Sequence, residues 1–300
     1  MSKNVFVSIR EGHDVLDKVI KNLKQISNLN IIIHRPFKDK TNLTETINQL
    51  KNVDYLILKA SNQISMDILY FAKLYNIPAL HDFDAVTTCR SKIMLDSRLR
   101  EILMRYKNDL EDFLLPIPES WVSFINEKNL EDFKNWAKPL LPLVLKSHDQ
   151  HEKYVRYSYL VRADDEIDDF HHKFQDFLKF PVYIQKKIEC DDIDRKIYVI
   201  GDKIFGVQRE SPISICLRNN LDVIDVDSIE KFDYTVSDKV KMIAKILAKE
   251  LNLKLFGFDL IKSANQDKYY LIDVNDFPGF RGVKNIVNIL VDFFKNLLDL

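Results

Sequence analysis

Two acidic residues interrupt apolar runs near the C-terminal end of the sequence. Asp259 lies in the middle of the run formed by residues 255–261, and Asp273 and Asn275 end a second run that begins at Tyr269. A carboxylate inside an apolar strand is costly unless a cation or an ion-pair partner compensates its charge. The polar stretch between the two runs, residues 262–268, is typical of a β-hairpin link. We therefore expect a hairpin that brings the three oxygen-bearing side chains close together.

The three side chains offer only oxygen ligands. A single acid in a strand is as often a turn residue or a salt-bridge partner, so Asp259 alone would predict little. Two acids and an Asn on neighbouring strands, followed by a turn at Pro278-Gly279, favour a metal site. Hard oxygen ligands without His or thiolate suit Mg²⁺, with phosphate oxygens completing its octahedron.

The composition is that of an ordinary globular chain. The 300 residues are 46% hydrophobic and 30% charged, and the formal net charge is −1. This balance excludes a global basic field for nucleic acid, so any anion site must be local. Three scattered cysteines (Cys89, Cys190 and Cys216) indicate a reducing compartment. Without a signal peptide or an apolar run of membrane-spanning length, we expect a cytoplasmic monomer that binds neither nucleic acid nor membrane.

The first part of the chain alternates strand and helix. The pattern predicts strands at residues 5–9, 29–34, 55–58 and 77–80, and helices at 15–26, 43–50 and 66–75. Such alternation indicates βαβ units and a small parallel sheet. Ligands bind beyond the carboxyl ends of the strands in sheets of this kind, and Lys59 lies at such a position. On position alone, a solvated loop lysine is the simpler interpretation of Lys59.

The middle of the chain carries cations where phosphate could bind. Residues 87–105 are predicted as one amphipathic helix, with Asp84 or Thr87 as its cap and with Arg90 and Lys92 at its start. Cations near a helix N-terminus oppose the macrodipole unless an anion is also present. Lys146 ends a predicted strand at 140–145 and is a candidate phosphate contact. Further strands are predicted at 121–124, 157–162 and 181–188, and helices at 129–136 and 165–177.

The last part is predicted to be mostly antiparallel. Gly201-Asp202 separates two strands, 195–200 and 203–209, as in a tight hairpin. After a stretch predicted to be irregular, a helix at 237–251, capped by Ser237 or by the earlier Thr235, precedes the acidic hairpin. A helix at 283–298 closes the chain.

Several segments together carry a family resemblance. Arg90-Ser91-Lys92, residues 196–211 and the motif Asp273-Val274-Asn275 with the following Phe277-Pro278-Gly279-Phe280 resemble segments of the inositol 1,3,4-trisphosphate 5/6-kinases, which are ATP-grasp proteins. The resemblance spans most of the chain and is strongest between residues 185 and 282. It implies an α/β (α+β) ATP-grasp fold with three parts. These are an N-terminal βαβ domain at 1–85, a central subdomain at 86–190, and a mostly antiparallel C-terminal subdomain with the metal site at 191–300.

The resemblance also implies roles for individual residues, with ATP and Mg²⁺ as cofactors. Asp259, Asp273 and Asn275 would hold the metal and, with Lys146, form the catalytic set. The implied ATP contacts are Arg90, Lys146, Gln185, Lys186, Lys187, Ile188 and Ser211. The implied contacts to an inositol phosphate are Lys59, Arg156, Lys196, Arg209 and Gly279.

Two departures from the family pattern bear on the substrate. Residues 147–155 lack the family's glycine, and Arg156 stands where the family has a His. Cys190-Asp191 replaces a His-Asn pair. The expected function is transfer of the ATP γ-phosphoryl to a hydroxyl of an inositol phosphate, and no residue is marked as a general base. The alternatives are a carboxylate–amine ligase of the ribosomal-protein-modifying kind, which usually has Glu at the position of Asp273, and a nucleotide-binding protein without catalysis, which the intact metal trio disfavours.

Overall fold

The computed structural model describes residues 2–59, 62–149, 156–219, 221, 224–226 and 228–300. Part of the polar loop that follows Lys146, residues 150–155, lies outside these ranges. Within them, no helix combines the length and the apolar composition needed to cross a bilayer. The cysteines at 89, 190 and 216 are free thiols.

The N-terminal part is a three-stranded parallel sheet with helices, as the alternating pattern predicts. Its strands are β1 (Lys3–Ser8), β2 (Leu29–His34) and β3 (Tyr55–Leu58), in the order β2-β1-β3, and its helices are α1 (Leu16–Leu23), α2 (Leu43–Leu50) and α3 (Gln63–Leu74). The predicted strand at 77–80 is wrong, since it contributes only an isolated bridge between Leu56 and Ala79. Pro78 has no N–H to donate to a ladder, which limits pairing there.

The predicted single helix at 87–105 is two helices, α4 (Phe83–Arg90) and α5 (Lys92–Arg105), followed by the short α6 (Lys107–Leu110). Ser91 separates them with an extended backbone, and its hydroxyl accepts a hydrogen bond from Met94 N at 3.3 Å. Asp82, not Asp84 or Thr87, caps α4 by accepting from Ala85 N at 2.8 Å. A good N-cap residue inside an amphipathic pattern restarts the helix. Lys92 therefore occupies the first turn of α5.

The central sheet is antiparallel throughout its four strands. These are β4 (Ser120–Ser123), β5 (Leu143–Ser147), β6 (Ser158–Val161) and β7 (Val182–Lys186), in the order β4-β7-β5-β6. Its helices are α7 (Leu130–Ala137) and α8 (Glu166–Phe174). Lys146 lies in β5 opposite Ser158 of β6 and Tyr183 of β7, so it is inside the sheet and not beyond its end.

The C-terminal sheet has five antiparallel strands. These are β8 (Cys190–Ile200), β9 (Lys203–Glu210), β10 (Phe232–Tyr234), β11 (Leu255–Ser263) and β12 (Tyr269–Asn275), in the order β10-β9-β8-β11-β12. Its helices are α9 (Pro212–Asn219), α10 (Asp238–Glu250) and α11 (Ile286–Leu297). The sequence missed α9 because only its initial proline marks it. Ser237 caps α10 as predicted.

Alternate side chains of this sheet face two different cores. Ile197 and Phe258 pack with Leu95 and Leu99 of α5 and with residues of α10. The other face, which includes Ile200 and Leu255, packs with α11, α1 and β1. Because side chains alternate along a strand, β8 and β11 join α5 on one side to the N-terminal sheet on the other. The division into three domains at residues 85 and 190 stays a prediction.

The second of these cores predicts a stability effect. Phe294 of α11 is 1% exposed and packs in the cluster shared with α1 and β1. Phe294→Ala should lower the free energy of unfolding by about 3–5 kcal/mol, because it removes a buried ring and leaves a cavity. Urea unfolding followed by circular dichroism measures this. Asn296→Ala, an exposed change in the same helix, should stay within about 0.5 kcal/mol, and an equally small loss for Phe294→Ala would contradict the packing described.

Candidate functional site

The acidic hairpin forms as the sequence predicts. β11 and β12 pair antiparallel, with Asp259 opposite Asp273 and Gly257 opposite Asn275. On its other side, Asp259 lies opposite Lys196 of β8. Like charges directly opposite each other destabilise a sheet. The two carboxylates therefore need cations close by.

Two lysines supply those cations. Lys196 Nζ lies 2.6 and 2.8 Å from the two carboxylate oxygens of Asp259, and Lys92 at the start of α5 donates to Asp273. Burial disfavours the charged form of Asp273, but Lys92, then Lys146 and Lys196, outweigh it and hold the pKa of Asp273 below its usual value. Burial likewise opposes the charge of Lys196, but Asp259 raises its pKa. Asp273 and Lys196 are therefore both charged at neutral pH.

The donor set fits a hard cation that shares its coordination with phosphate. No group of three His, Cys, Asp or Glu side chains converges anywhere in the described ranges, so a metal at the hairpin would have two carboxylates and one amide oxygen. Asn275 Oδ1 is oriented by a hydrogen bond from Phe277 N at 3.1 Å and keeps a second lone pair. Mg²⁺ is commonly held by one or two carboxylates while waters and substrate phosphates complete its shell.

The hairpin forms one wall of a cavity of about 760 Å³, within the range of small-molecule sites. Asp259, Asp273, Asn275 and Gly279 line it. Among described residues, the lining has seven cationic side chains and four carboxylates, an excess of positive charge that suits a polyanion. The cations are Arg10, Lys59, Arg156, Lys196, Arg209, Lys231 and Arg281.

Lys59 connects the N-terminal sheet to the loop after the hairpin. Its ammonium donates to the carbonyl of Phe277 and lies 5.1 Å from the centre of the Phe277 ring. Burial, and secondarily the Arg10 charge, lowers the pKa of Lys59 to about 8 against the opposing pull of Asp276. The amine is therefore only partly protonated slightly above neutral pH. An arriving anion would favour its charged form.

Arg209, Arg156 and Gly279 lie around the same cavity in different environments. Arg209 is nearly buried, 3.6 Å from Asp194, and donates to the carbonyl of Val226 at 3.3 Å. Arg156 is exposed on the cavity wall. A Cβ added at Gly279 would meet no described atom nearer than 3.9 Å, so protein packing does not explain a glycine there.

Lys146 approaches the acids from the central sheet. Its Nζ donates to Gln185 Oε1 at 2.9 Å. Burial and the neighbouring Lys92 lower the pKa of Lys146 to about 8, opposed by Asp273 and Asp259. Lys92 of α5 and Lys146 of β5 therefore both favour the charged form of Asp273.

The remaining predicted ATP residues do not line the cavity. Arg90 pairs with Asp149 and donates to the carbonyl of Asn62 at 3.2 Å. Ser211 is buried at the end of β9, and its N–H donates to the carbonyl of Asp192 at 2.8 Å. The side chain of Lys186 is exposed, whereas Lys187 Nζ lies 3.2 Å from the carbonyl of Ile188. Their contacts with ATP stay predictions.

Four cations that contact Asp273 or line the cavity were not assigned a role from the sequence. Lys92 was noted as a helix-start cation and as part of the Arg90-Ser91-Lys92 motif. The break at Ser91 places it in the first turn of α5, where it contacts Asp273. Arg10 follows β1 just as Lys59 follows β3, so the rule that selected Lys59 could have found it. Arg281 lies two residues after Gly279 in the same turn. No sequence signal marks Lys231.

Solved structures decide the fold. The D-alanyl-alanine synthetase A of Vibrio cholerae superposes with a TM-score of 0.66 at 14% identity, covering 100% of this chain and 99% of that chain. The ATP-grasp ligase PsnB, solved with a phosphomimetic variant of its minimal precursor, Mg and ADP, gives 0.64 at 13% identity, with 99% of each chain covered. The fold is ATP-grasp. At these identities the likeness concerns the fold alone.

Sequence comparison finds similarity to a kinase family over part of the chain. The family model of the inositol 1,3,4-trisphosphate 5/6-kinase ATP-grasp domain matches residues 211–296, which include the acidic hairpin. The inositol-tetrakisphosphate 1-kinase 1 of Arabidopsis thaliana is 27% identical over 144 residues, 40% of this chain and 45% of that protein. The chain thus spans less than half of the curated relative that it matches. The predicted resemblance to the inositol 1,3,4-trisphosphate 5/6-kinases is confirmed for residues 211–296.

The two lowered lysine pKa values predict proton uptake on anion binding. With pKa values of about 8, Lys59 and Lys146 are each about half protonated at pH 8, and a bound anion favours the charged form. Sulfate, a dianion that does not titrate between pH 6 and pH 8, should therefore bind with uptake of up to about one proton at pH 8 and almost none at pH 6, where both amines are already charged. Calorimetry in buffers of different ionisation enthalpy measures the uptake.

Matched variants assign that proton uptake. Lys59→Met should remove about half of the uptake at pH 8, because one of the two titrating amines is lost. Lys18→Met, which removes an exposed lysine of α1, should leave it unchanged. Equal uptake at pH 6 and pH 8 in the unaltered protein would refute the electrostatic description of the cavity.

Proposed function

We propose that this protein is an ATP- and Mg²⁺-dependent kinase that transfers the γ-phosphoryl of ATP to a hydroxyl of an inositol phosphate. The observation that carries the proposal is one cavity lined both by Asp259, Asp273 and Asn275 and by a surplus of cations. Phosphoryl transfer requires both features, a metal-type acid set and neutralisation of phosphate charge.

The residues divide into two groups by position. Asp259, Asp273 and Asn275 would hold Mg²⁺, which supplies neutralisation of the phosphate oxygens when bound. Lys146 and Lys92 lie beside these acids and would take the nucleotide phosphates. When phosphates arrive, Lys92 can exchange its carboxylate partner for a phosphate oxygen. Lys146 can keep its amide partner and add a phosphate contact, because an ammonium has three donors.

The other group would hold the acceptor. Lys59, Arg156, Lys196 and Arg209 come from three different sheets or their adjoining loops and line one cavity. A cluster of like charges is costly unless anions or acids compensate it. An acceptor with several phosphates supplies that compensation, and the guanidinium of Arg156 can bind one phosphate bidentately where the family has a His. Gly279 would leave space for the acceptor ring.

A carboxylate–amine ligase is the second candidate, because a synthetase (D-alanyl-alanine synthetase A) and a ligase (PsnB) superpose on nearly the whole chain. In such an enzyme the γ-phosphoryl would go to a carboxylate. Two observations favour the kinase. The family match covers the hairpin that carries the acids. The seven lining cations also exceed what one carboxylate acceptor requires.

Turnover against two panels of acceptors tests the proposal. With MgATP, a set of inositol phosphates should yield ADP and a new phosphate monoester, detected by anion-exchange chromatography. Amino-acid and peptide acceptors should yield neither an amide nor inorganic phosphate above background. Amide formation with no reaction on any inositol phosphate would replace the kinase by the ligase.

The acid pair gives a variant with two readouts. Asp273→Asn should lower turnover roughly a hundredfold or more, because it removes a charged ligand at the reacting phosphates. It should also lower the melting temperature, because Lys92, whose side chain is 7% exposed, loses its ion-pair partner. Asp267→Asn changes a 91% exposed acid of the same hairpin and should affect neither measurement. Full turnover by Asp273→Asn would remove this residue from the proposed metal site.

The acceptor side is tested at its most exposed cation. Arg156→Ala should raise the acceptor KM about tenfold in a salt-sensitive manner and leave the KM for ATP unchanged. Arg218→Ala is the matched control, since that guanidinium pairs with Glu210 and does not line the cavity. An unchanged acceptor KM for Arg156→Ala would exclude this residue from acceptor binding.

A further inference from the structure

A chain of hydrogen bonds leads from Lys146 to helix α5. Lys146 Nζ donates to Gln185 Oε1 at 2.9 Å, and Gln185 Nε2 donates to the Tyr183 hydroxyl oxygen at 3.1 Å. The Tyr183 hydroxyl in turn donates to Asp96 Oδ2 at 2.8 Å. The chain thus crosses from β5 through β7 to α5.

The far end of this chain is firmly held. Asp96 has a side chain that is only 12% exposed, and it pairs with Arg100 Nε at 2.6 Å. Ser120 Oγ donates to the same carboxylate at 3.0 Å. Tyr183 and Gln185 are both buried. Buried, fully satisfied polar networks hold side chains in one arrangement.

Asp96 also fixes the direction of every bond. An ionised carboxylate can only accept, so the Tyr183 hydroxyl must donate to it. The Tyr183 oxygen is then left to accept from the amide nitrogen of Gln185. That turns the amide oxygen of Gln185 towards Lys146, which can only donate. Burial, and then Asp96, raises the pKa of Tyr183, which keeps its proton in place.

A neutral partner suits a lysine that must meet phosphate. The amide oxygen of Gln185 orients the Lys146 ammonium without cancelling its charge, which a carboxylate there would do. Helix α5 carries Asp96 and, one turn earlier, Lys92, which contacts Asp273. One helix therefore fixes Lys92 directly and Lys146 through the chain.

We propose that Asp96, Tyr183 and Gln185 are positioning residues that hold Lys146 at a fixed place relative to Lys92, so that the two ammonium groups clamp the polyphosphate of a nucleotide. This inference rests on the proposed nucleotide site and adds residues to it. The sequence resemblance implied that Gln185 contacts ATP, which stays a prediction. In the structure its side-chain amide binds Tyr183 and Lys146.

A double-mutant cycle on MgADP binding tests the chain, with dissociation constants from calorimetry. Tyr183→Phe keeps the ring but removes the hydroxyl, so the Gln185 amide can rotate away from Lys146. MgADP should then bind about fivefold to tenfold more weakly. Because Tyr183 acts through Lys146, the same change should have less than about a twofold effect in a Lys146→Met background. A general loss of structure would weaken binding in both backgrounds.

Two further variants complete the test. Gln185→Glu keeps the size of the side chain but neutralises Lys146, and should weaken MgADP binding at least about tenfold. Tyr159→Phe makes the matched change in a buried tyrosine of β6 and should leave binding unchanged. The chain is refuted if Tyr183→Phe and Gln185→Glu bind MgADP normally while Lys146→Met does not, or if the Tyr183→Phe effect persists without Lys146. Absence of MgADP binding by the unaltered protein would overturn the proposed function itself.

Discussion

Two carboxylates facing each other across a pair of strands set the requirements for the structure around them. Asp259 and Asp273 would repel each other in an apolar sheet, and each is balanced by a lysine from a different element, Lys196 from β8 and Lys92 from α5. Such a site is stable only while all four charges are in place, because removing one partner leaves an uncompensated buried charge. The same charges are those that a metal and a polyphosphate would use.

The surrounding elements are arranged to deliver cations to this pair. The break at Ser91 starts α5 at Lys92, and α5 packs on the face of the C-terminal sheet that carries Ile197 and Phe258. The N-terminal sheet packs on the other face and supplies Lys59, which donates to the carbonyl of Phe277 just after the hairpin. The central sheet contributes Lys146. The three sheets thus meet at one group of charges, which explains why residues distant in sequence line one cavity.

The sequence predicted what depends on local pattern. The acidic hairpin, the alternating N-terminal part and the helix capped by Ser237 all follow from periodicity, turn residues and caps, and the structure has them. The sequence did not predict features that depend on contacts between distant elements. One serine divides a continuous amphipathic pattern, and so the partner of Asp273 was missed. The side chain of Gln185 points to Lys146 because Tyr183 of the same strand orients it. Tyr183 is in turn held by Asp96 of α5, and that contact depends on how the helix packs on the sheet.

The destination of the γ-phosphoryl group is the most direct test of the proposed kinase activity. ATP labelled with heavy oxygen at its γ-phosphoryl would be turned over with an inositol polyphosphate as acceptor, and the products examined by phosphorus NMR. The proposed chemistry predicts that the label appears in a phosphate monoester on the inositol ring, with ADP as the other product. Label recovered only as inorganic phosphate, with the inositol polyphosphate unchanged, would contradict it.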